Sequence, residues 1–421
     1  MSKPSPARPI ALPPLPDGGP GKTRPRSAPD RKTEKPGPAS KRVLVLTAGY
    51  GEGHNAAARA LTAALDVAGG PGTAQMADVF ALASPRLNAV TRRGYISIIN
   101  RAPRLWRKVY GWMDTSTSLV PHSLALLRAE RRVLKQLLAK ERPAAICSTY
   151  PIYAFLLERL APTGRLTAPQ FNIVTDSISI HSLWYRAACD GWFLPNEDSA
   201  DVLRQAGLPP DRLHVCGFPV DAFFHAHDGS LLPPDLAVAG TAPRVLQIIN
   251  SGTRHAEATA ARLLTETDWE VTCAVGRDHK MKARLEALAA GRAAPARILG
   301  WTNEVPHLLM THHVVISKAG GATTQEAIAA RCPMIVSQVI PGQEEGNYEL
   351  LRRHGVGERA ETTEAVMTAC HRAFADRGRV WRAWRAALDP IARPAAAAAI
   401  ADQVLAAAAK ASPAPQLNPA A

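Results

Sequence analysis

The sequence predicts an α/β protein built from two doubly wound parallel sheets that face each other across a cleft. Three observations predict it. Short apolar runs such as Val43–Leu46 and Val314–Ile316 are typical of strands buried on both faces. Each run is followed by a glycine or polar loop and then by a helical pattern, with short connections. A stretch rich in glycine, proline and alanine at 227–242 divides this alternation into two halves.

The predicted domain boundaries follow shifts in composition. Residues 1–41 are rich in proline, glycine, serine and basic residues, and we expect them to form a disordered basic arm. The first domain is predicted over 42–226 and the second over 243–411, joined by a linker at 227–242. The last helices of the second domain are candidates to pack back on the first domain. Residues 412–421 are expected to be a disordered tail.

Composition points to an anionic partner and a reducing environment. The 421 residues carry a formal net charge of +14, which favours nucleic acid, phosphorylated substrates or an acidic membrane surface. The six cysteines form no C-x-x-C pair, so we expect reduced core thiols rather than a zinc ribbon or a thioredoxin-like site. No stretch reaches the roughly 18 apolar residues of a membrane span. The N-terminus lacks the apolar core of a secretory signal, so any membrane association is expected to be peripheral.

The first strand runs into a glycine loop that ends in a histidine. The loop reads Gly49-Tyr50-Gly51-Glu52-Gly53-His54, and an alanine-rich helix follows it. It is neither a P-loop, because no Gly-Lys-Ser/Thr follows, nor a dinucleotide fingerprint, because the spacing is G-x-G-x-G-H. His54 would stand in the first helical turn, where the positive helix end disfavours its charged form and keeps it available as a base. The alternative is a histidine that only caps or packs the helix.

A second glycine loop follows the strand Val314–Ile316. Ser317-Lys318-Ala319-Gly320-Gly321 leads into a helix predicted over Thr323–Ala330, with a threonine available to cap its start. Paired glycines let the backbone come close to a ligand, and the free N–H groups of the helix start point at it, so this loop is a candidate anion site. The alternative is an ordinary tight turn between a strand and a helix.

An insert over 86–142 is unusually basic and aromatic. It carries thirteen arginines and lysines against three acidic residues. Such a mixture is what a helix lying in a lipid interface would carry, so the insert is a candidate membrane contact. The residues chosen as membrane contacts are Arg104, Trp106, Arg107 and Trp112. The alternatives are a surface that binds single-stranded nucleic acid and an ordinary amphipathic hairpin with a solvated face.

Polar residues also follow the predicted strand Phe171–Val174. Open α/β sheets place their sites just beyond the carboxyl ends of strands. Asp176, His181 and Trp184 are therefore candidate substrate contacts. A purely structural role is the alternative for the loop histidine.

Four motifs recur in order along the chain: Gly49–His54, Gly300-Trp301-Thr302, Ser317–Gly321 with Thr324 and Glu326, and Pro341–Asn347. Together they resemble the family 28 glycosyltransferases of GT-B fold, most of all the monogalactosyldiacylglycerol synthases and processive diacylglycerol glucosyltransferases. The lipid II-forming N-acetylglucosaminyl transferase is a more distant relative. The resemblance covers about 42–375 and implies two Rossmann-like domains that face each other across a cleft.

The resemblance implies transfer of galactose or glucose from a UDP-sugar to diacylglycerol, with inversion at the anomeric carbon. His54 would be the general base. The acceptor side would be lined by Gly51, Gly53, Asp176, His181 and Trp184. The implied donor-binding residues are Gly320, Gly321, Thr323 and Thr324 for the diphosphate, Glu326 for the ribose, Trp301 and Val305 for the uracil, and Gln343, Glu344 and Asn347 for the sugar.

No cofactor or metal is expected, because the sequence has no Asp-x-Asp motif and backbone N–H groups with a helix dipole would meet the charge of the leaving UDP. The expected partners are a UDP-sugar, diacylglycerol or a related lipid, and an anionic membrane surface at the cytoplasmic face of the cell membrane. One alternative keeps the fold with a polyprenyl-linked or other glycolipid acceptor. The least favoured is a nucleic-acid-binding protein, since no RNP, KH or zinc motif is present. The donor sugar, the lipid, processivity and oligomeric state stay open.

Overall fold

The structure, a computed structural model, describes the chain from residue 42 to residue 411 with gaps. The described residues are 42–86, 127–160, 167–250, 255–342 and 344–411, with the isolated positions 88, 90, 91, 94, 98, 108 and 253. The predicted arm and tail, Gln343 and the four predicted membrane contacts Arg104, Trp106, Arg107 and Trp112 lie outside these residues.

The N-lobe carries a six-stranded parallel sheet in the order β2-β1-β3-β4-β5-β6. The apolar runs form its central strands because they are buried on both faces. Its elements are β1 Val43–Thr47, α1 Glu52–Gly69, β2 Ala74–Asp78, α2 Val79–Ala83, α3 Arg128–Glu141, β3 Ala145–Ser148, α4 Ile152–Leu160, β4 Gln170–Ile173, β5 Gly191–Leu194, α5 Glu197–Gln205, β6 Leu213–Val215 and α6 Ala222–Ala226.

The C-lobe carries a second six-stranded parallel sheet, in the order β12-β11-β10-β7-β8-β9. Its elements are β7 Arg244–Ile248, α7 Ala256–Leu263, β8 Glu270–Ala274, α8 His279–Ala289, β9 Ala296–Leu299, α9 Val305–Thr311, β10 Val314–Lys318, α10 Gly321–Ala329, β11 Met334–Gln338, α11 Glu345–Arg353, β12 Glu358–Arg359 and α12 Thr363–Leu388. Helix α12 is kinked where the backbone leaves helical angles at Ala375–Gly378. The predicted α/β class with two doubly wound sheets is confirmed.

Two boundaries differ from the sequence prediction. The strand predicted over Gln75–Phe80 stops at Asp78, because the Asp78 side chain accepts a hydrogen bond of 2.9 Å from Ala81 N and starts α2. The helix predicted from Thr323 begins at Gly321, with Gly320 as its N-cap and no side-chain cap. The predicted threonine cap is therefore wrong, since both threonines already lie inside the first turns.

The final helix, α13 (Ala396–Lys410), returns to the N-lobe. Ala397, Ile400 and Val404 are buried against α1 and one face of the first sheet, in a cluster that includes Val45 and Leu61. Fully burying an Ile or Val side chain contributes roughly 1.5–3 kcal/mol. Helix α13 is thus an integral layer of the N-lobe although it comes last in sequence.

The chain crosses between the lobes at 227–243 and again at 389–395. One side chain holds both crossings: Arg331, which follows α10, donates to Asp228 in the first and to Asp389 in the second. Arg385 donates in turn to the Arg331 carbonyl at 2.8 Å. These contacts fix the C-lobe against both connections.

Five of the six cysteines are buried, Cys216 is half-buried, and all six are free thiols. The predicted core position is confirmed for the buried five, and the reducing environment stays a prediction. Within the described ranges, no helix combines the length and the apolarity needed to cross a membrane.

Candidate active site

The candidate site lies where the carboxyl edges of the two sheets meet. In the first sheet the order in which successive strands are added reverses between β1 and β3, and in the second sheet it reverses between β7 and β10. The loops after these parallel strands therefore open into a crevice. The N-termini of α1 and α10 meet there. A Cβ built on Gly53 would lie 3.7 Å from the backbone nitrogen of Ala322. Two helix starts therefore direct N–H groups and positive dipole ends into one space, which suits a diphosphate.

His54 stands in the first turn of α1, where Thr175 and the Thr149 backbone hydrogen-bond its ring. Its Nδ1 lies 2.9 Å from Thr175 Oγ1, in the loop after β4. On the other side of the ring, a Cβ built on Gly51 would lie 3.4 Å from Cδ2 and 3.7 Å from Nε2. The glycine therefore leaves space beside Nε2. Tyr150 packs edge-on against the ring, with the centroids 5.2 Å apart.

Burial lowers the pKa of His54 to about 4, and a hydrogen bond with the Thr149 backbone opposes this only in part. The expected direction is therefore found, but its main cause is desolvation rather than the helix end. An imidazole with this pKa is neutral throughout the physiological range. Its ring is thus always in the form that accepts a proton.

The lobes touch through the loop that follows β4. Gln325 of α10 donates to Ser177 Oγ at 2.9 Å. A Cβ built on Gly321 would lie 3.5 Å from the Thr175 carbonyl oxygen, and one on Gly346 would lie only 1.9 Å from the Ser177 carbonyl oxygen. Only glycine at 346 allows this approach of α11 to the N-lobe.

A second contact between the lobes lies at the other end of α11. Arg353 donates to Asp198 Oδ1 at 2.9 Å, and His354 Nε2 lies 3.2 Å from Asp198 Oδ2. These partners keep the pKa of Asp198 below its usual range, although desolvation opposes them. Both ends of α11 therefore rest on the N-lobe.

The loop before α11 is held by an ion pair under the glycine pair. Lys318, the last residue of β10, donates to Glu344 Oε1, and Ile340 N donates to Glu344 Oε2 at 3.0 Å. Both oxygens of Glu344 therefore already have partners within the protein. The residue is also only 3% exposed. This geometry gives Glu344 a part in shaping the loop. Its contact with the sugar stays a prediction, as does that of Gln343.

Asn347 lies beside the donor helix and has an unused acceptor. Its Nδ2 donates to the Ala319 carbonyl at 3.0 Å and lies 3.9 Å from the Cβ position of Gly321. Its Oδ1 is buried and has no hydrogen-bond partner within the described part of the chain. A buried carbonyl without a partner is costly, so Asn347 is suited to accept from a ligand hydroxyl.

The two predicted phosphate-binding threonines differ in position. Thr324 is fully buried, with its hydroxyl 3.8 Å from Met334 Sδ, so it is directed into the C-lobe core. Thr323 is half-buried in the first turn of α10. Of the two side chains, only Thr323 is in a position compatible with the cleft.

Glu326 stands one turn further along α10, between the lobes. Burial, with smaller contributions from Asp221 and Glu52, raises its pKa to about 7, and Arg59 opposes this shift. No hydrogen bond is among the causes of this shift, which are desolvation and the charges of Asp221, Arg59 and Glu52. A desolvated carboxylate facing other acids is poised to accept bonds from neutral hydroxyls, which is what the predicted ribose contact requires.

The predicted uracil contacts differ in exposure. Trp301 is 65% exposed after β9, whereas Val305 is half-buried at the first position of α9. A large ring so exposed is available for stacking on a base. The uracil contact itself stays a prediction.

The acceptor-side residues form a hydrogen-bonded corner behind His54. Trp184 is 1% exposed, donates through Nε1 to Asp176 Oδ2 at 2.7 Å, and lies with its ring 6.2 Å from that of His54. Burial raises the pKa of Asp176 to about 6, against hydrogen bonds from Trp184 and His181. His181 is buried and accepts from Leu183 N at its Nδ1. These three residues are brought together, and their position beside His54 supports the loop that holds the base.

Sequence reasoning missed Thr175, Ser177 and Gly346. Thr175 and Ser177 flank Asp176 in a segment that was recognised, but hydroxyl residues in a loop give no sign of which partner they will face. Gly346 lies in the recognised Pro341–Asn347 motif, where a glycine inside a helix is itself a signal of close approach. Within the described residues, no group of three histidines, cysteines or carboxylates is placed to hold a metal ion. The absence of a metal requirement remains a prediction.

Comparison with known proteins gives a consistent result. The family model described as monogalactosyldiacylglycerol (MGDG) synthase matches residues 54–220. The processive diacylglycerol beta-glucosyltransferase of Bacillus cytotoxicus is 26% identical over 373 residues, covering 86% of this chain and 93% of that protein. The chain is similar to the diacylglycerol glucosyltransferases over most of its length. The protein of the same name from Bacillus subtilis is 24% identical over 342 residues, covering 80% of this chain and 88% of that relative. The resemblance inferred from the four motifs is confirmed.

Solved structures establish the fold of this chain. A UDP-glucosyltransferase from Polygonum tinctorium matches with a TM-score of 0.57 and 12% identity, covering 89% of this chain and 100% of that one. Acinetobacter baumannii MurG matches with a TM-score of 0.53 and 12% identity over 86% of this chain and 99% of that one. A UDP-GlcNAc 2-epimerase from Neisseria meningitidis, bound to UDP-GlcNAc, gives a TM-score of 0.53 at 11% identity over 87% of this chain and 100% of that one. The predicted GT-B fold is confirmed.

Proposed function

We propose that the protein is an inverting hexosyltransferase that moves a hexose, glucose or galactose, from a UDP-sugar to diacylglycerol and so makes a membrane glycolipid. One observation carries this function. A neutral, half-buried histidine stands where the starts of α1 and α10 converge, so a base and an anion site share one crevice. The relatives' name, processive diacylglycerol beta-glucosyltransferase, supports transfer of a glucosyl group to diacylglycerol.

The proposed reaction needs a base on one side of the anomeric carbon and stabilisation of the leaving diphosphate on the other. His54 Nε2 would take the proton of the acceptor hydroxyl. The N–H groups of Gly321 and its neighbours would meet the developing charge on UDP, aided by the dipole of α10. Glu326 would accept from the ribose, and Asn347 Oδ1 from the sugar. These roles need no metal, so we propose that the reaction is metal-independent.

The acceptor would enter from the N-lobe side, where a row of aromatic rings extends from His54. Tyr150 contacts His54 and stacks on Tyr50 with the centroids 5.9 Å apart, and Phe80 of α2 packs edge-on against both tyrosines. Such rings suit the glycerol and acyl parts of a lipid. The basic insert that follows α2 would bring the enzyme to an anionic membrane at its cytoplasmic face, as a peripheral protein.

The function is tested by incubating purified protein with liposomes that contain diacylglycerol and a panel of UDP-sugars, with product masses read out. We expect a hexosyl-diacylglycerol from UDP-glucose or UDP-galactose, with unchanged yield in EDTA. A matched panel replaces diacylglycerol by a polyprenyl-linked sugar. Product in that panel and none from diacylglycerol would reassign the acceptor. Binding to oligonucleotides without binding to liposomes would favour the nucleic-acid alternative.

The raised pKa of Glu326 predicts how donor binding depends on pH. A carboxylate with a pKa of about 7 becomes protonated as the pH falls through 7. The protonated carboxyl group is a weaker hydrogen-bond acceptor for the ribose hydroxyls. We therefore expect the affinity for UDP to fall by up to about tenfold between pH 8 and pH 6, beyond the effect of UDP's own ionisation. Calorimetry of wild type and Glu326→Gln separates the two effects, because the variant keeps only the latter.

The control is Glu364→Gln, which changes an exposed residue at the start of α12. The pH dependence of its affinity for UDP should match that of the wild type. If the affinity for UDP depends equally on pH in wild type and in Glu326→Gln, Glu326 does not contact the donor. Because the pKa of His54 is near 4, its own titration should not appear above about pH 5 in kcat/KM for the UDP-sugar.

A further inference from the structure

A base of this kind needs a partner that fixes its ring, and in this protein a hydroxyl faces Nδ1 while the Thr149 backbone also hydrogen-bonds the ring. Histidine bases are commonly oriented by a carboxylate on the second ring nitrogen. Here Nδ1 faces Thr175 Oγ1 at 2.9 Å, and in the described residues no carboxylate is hydrogen-bonded to the ring. Asp176, the next residue, is turned away and accepts from Trp184 instead.

We propose that Thr175 is the positioning residue of His54. Its Oγ1 accepts the Nδ1–H of the ring, which leaves the lone pair on Nε2 pointing to the side that Gly51 keeps open. This inference rests on the proposed function, in which Nε2 receives the proton of the acceptor. It adds that the Thr175 hydroxyl determines which of the two ring nitrogens is free to accept that proton.

The proton and electron pairs balance in this arrangement. The acceptor O–H bond breaks as its oxygen attacks the anomeric carbon, and the proton goes to Nε2. The bond from that carbon to the diphosphate oxygen breaks, and its electron pair leaves with UDP. The ring then carries two N–H groups, one of them still donated to Thr175. Nothing is oxidised or reduced.

Thr175 is well placed for this role because its own position is fixed. It is 5% exposed and follows β4, the strand beside β3, while Val174 N donates to the Phe193 carbonyl at 2.9 Å. Its backbone carbonyl borders Gly321 at the start of the donor helix. One residue thus sets the base through its side chain and meets the donor helix through its backbone. A small change in it changes the distance from base to donor.

The test compares Thr175→Val, which keeps the shape and removes the hydroxyl, with Thr175→Ser, which keeps the hydroxyl. We expect valine to lower kcat about tenfold to hundredfold, with donor KM and UDP affinity within about twofold of wild type. Serine should restore kcat to within about threefold. A purely structural role predicts instead that both variants lose activity in parallel with their loss of thermal stability.

A second measurement reads the ring directly and needs no turnover. Long-range ¹H–¹⁵N spectra of histidine-labelled protein, with the His54 signal assigned by its absence in His54→Asn, report the tautomer. We expect the Nδ1–H form in wild type and Thr175→Ser and a mixture in Thr175→Val. Wild-type kcat in Thr175→Val, or an unchanged tautomer, overturns the inference. If wild type transfers no hexose to any lipid, the proposed function fails, and the spectrum still decides the role of Thr175.

Discussion

Replacing His54 by asparagine is expected to lower kcat by about 10²–10⁴-fold, the range that a positioned general base contributes. At 1.36 kcal/mol per tenfold, this is roughly 3–5 kcal/mol of transition-state stabilisation. Asparagine is the sharpest substitution because its amide can still donate to Thr175 in place of Nδ1, while the nitrogen that takes the proton is gone. The affinity for UDP should stay within about twofold, since no donor contact is assigned to the ring. The measurement is kcat on diacylglycerol liposomes together with calorimetric UDP binding.

The matched control is His279→Asn, an exposed histidine at the start of α8, which should be indistinguishable from wild type. Turnover of His54→Asn within about threefold of wild type would exclude His54 as the base. A loss of UDP affinity that parallels the loss of kcat would instead show that the substitution disturbs the start of α1 and hence the anion site.

Replacing Gly346 by alanine is expected to lower kcat by on the order of 10²-fold, for a geometric reason. The added Cβ would lie 1.9 Å from the Ser177 carbonyl oxygen and 2.6 Å from Ser179 N, and neither backbone atom is the end of a flexible side chain. The lobes must move apart by roughly an ångström or more, and misplacement on this scale costs about 10²-fold in rate. The base on one lobe would then stand too far from the donor on the other.

Gly291→Ala is the control, because a Cβ there meets nothing within 4 Å. Each lobe keeps its own core, so Gly346→Ala should still fold, and its far-ultraviolet circular dichroism should match wild type. Wild-type kcat in this variant would mean that the contact between α11 and the loop after β4 is not required during turnover. Solution scattering with and without UDP would report the separation of the lobes.

Local patterns in the sequence predicted most of the fold and the outline of the site. Buried strands can be recognised as continuous apolar runs such as Val43–Leu46, because a strand buried on both faces shows no alternation of polar and apolar residues. The positions of His54 and Gly320 could also be foreseen, since both depend on a strand, a glycine loop and a helix that are neighbours in sequence. Features that depend on residues close together in sequence can therefore be predicted from the sequence.

The remaining features depend on residues that meet only after the lobes assemble. Ser177 and Gln325, and Asp198 and Arg353, come from different lobes, and nothing in either segment alone specifies the pairing. The pKa of His54 depends on its burial, which a sequence does not show. The threonine cap failed for a related reason: an extended glycine satisfied the geometry of the helix start before a threonine was reached.

Helix α13 has a consequence for how the protein is made. A nascent chain that has emerged as far as the end of α12 still lacks the layer that covers Val45 and Leu61. The N-lobe is synthesised earlier, and the part of this apolar surface that α13 covers stays exposed until Ala396–Lys410 has been made. Fragments that stop before Ala396 should need a chaperone or aggregate, and the two lobes should prove inseparable in expression even though each has its own sheet.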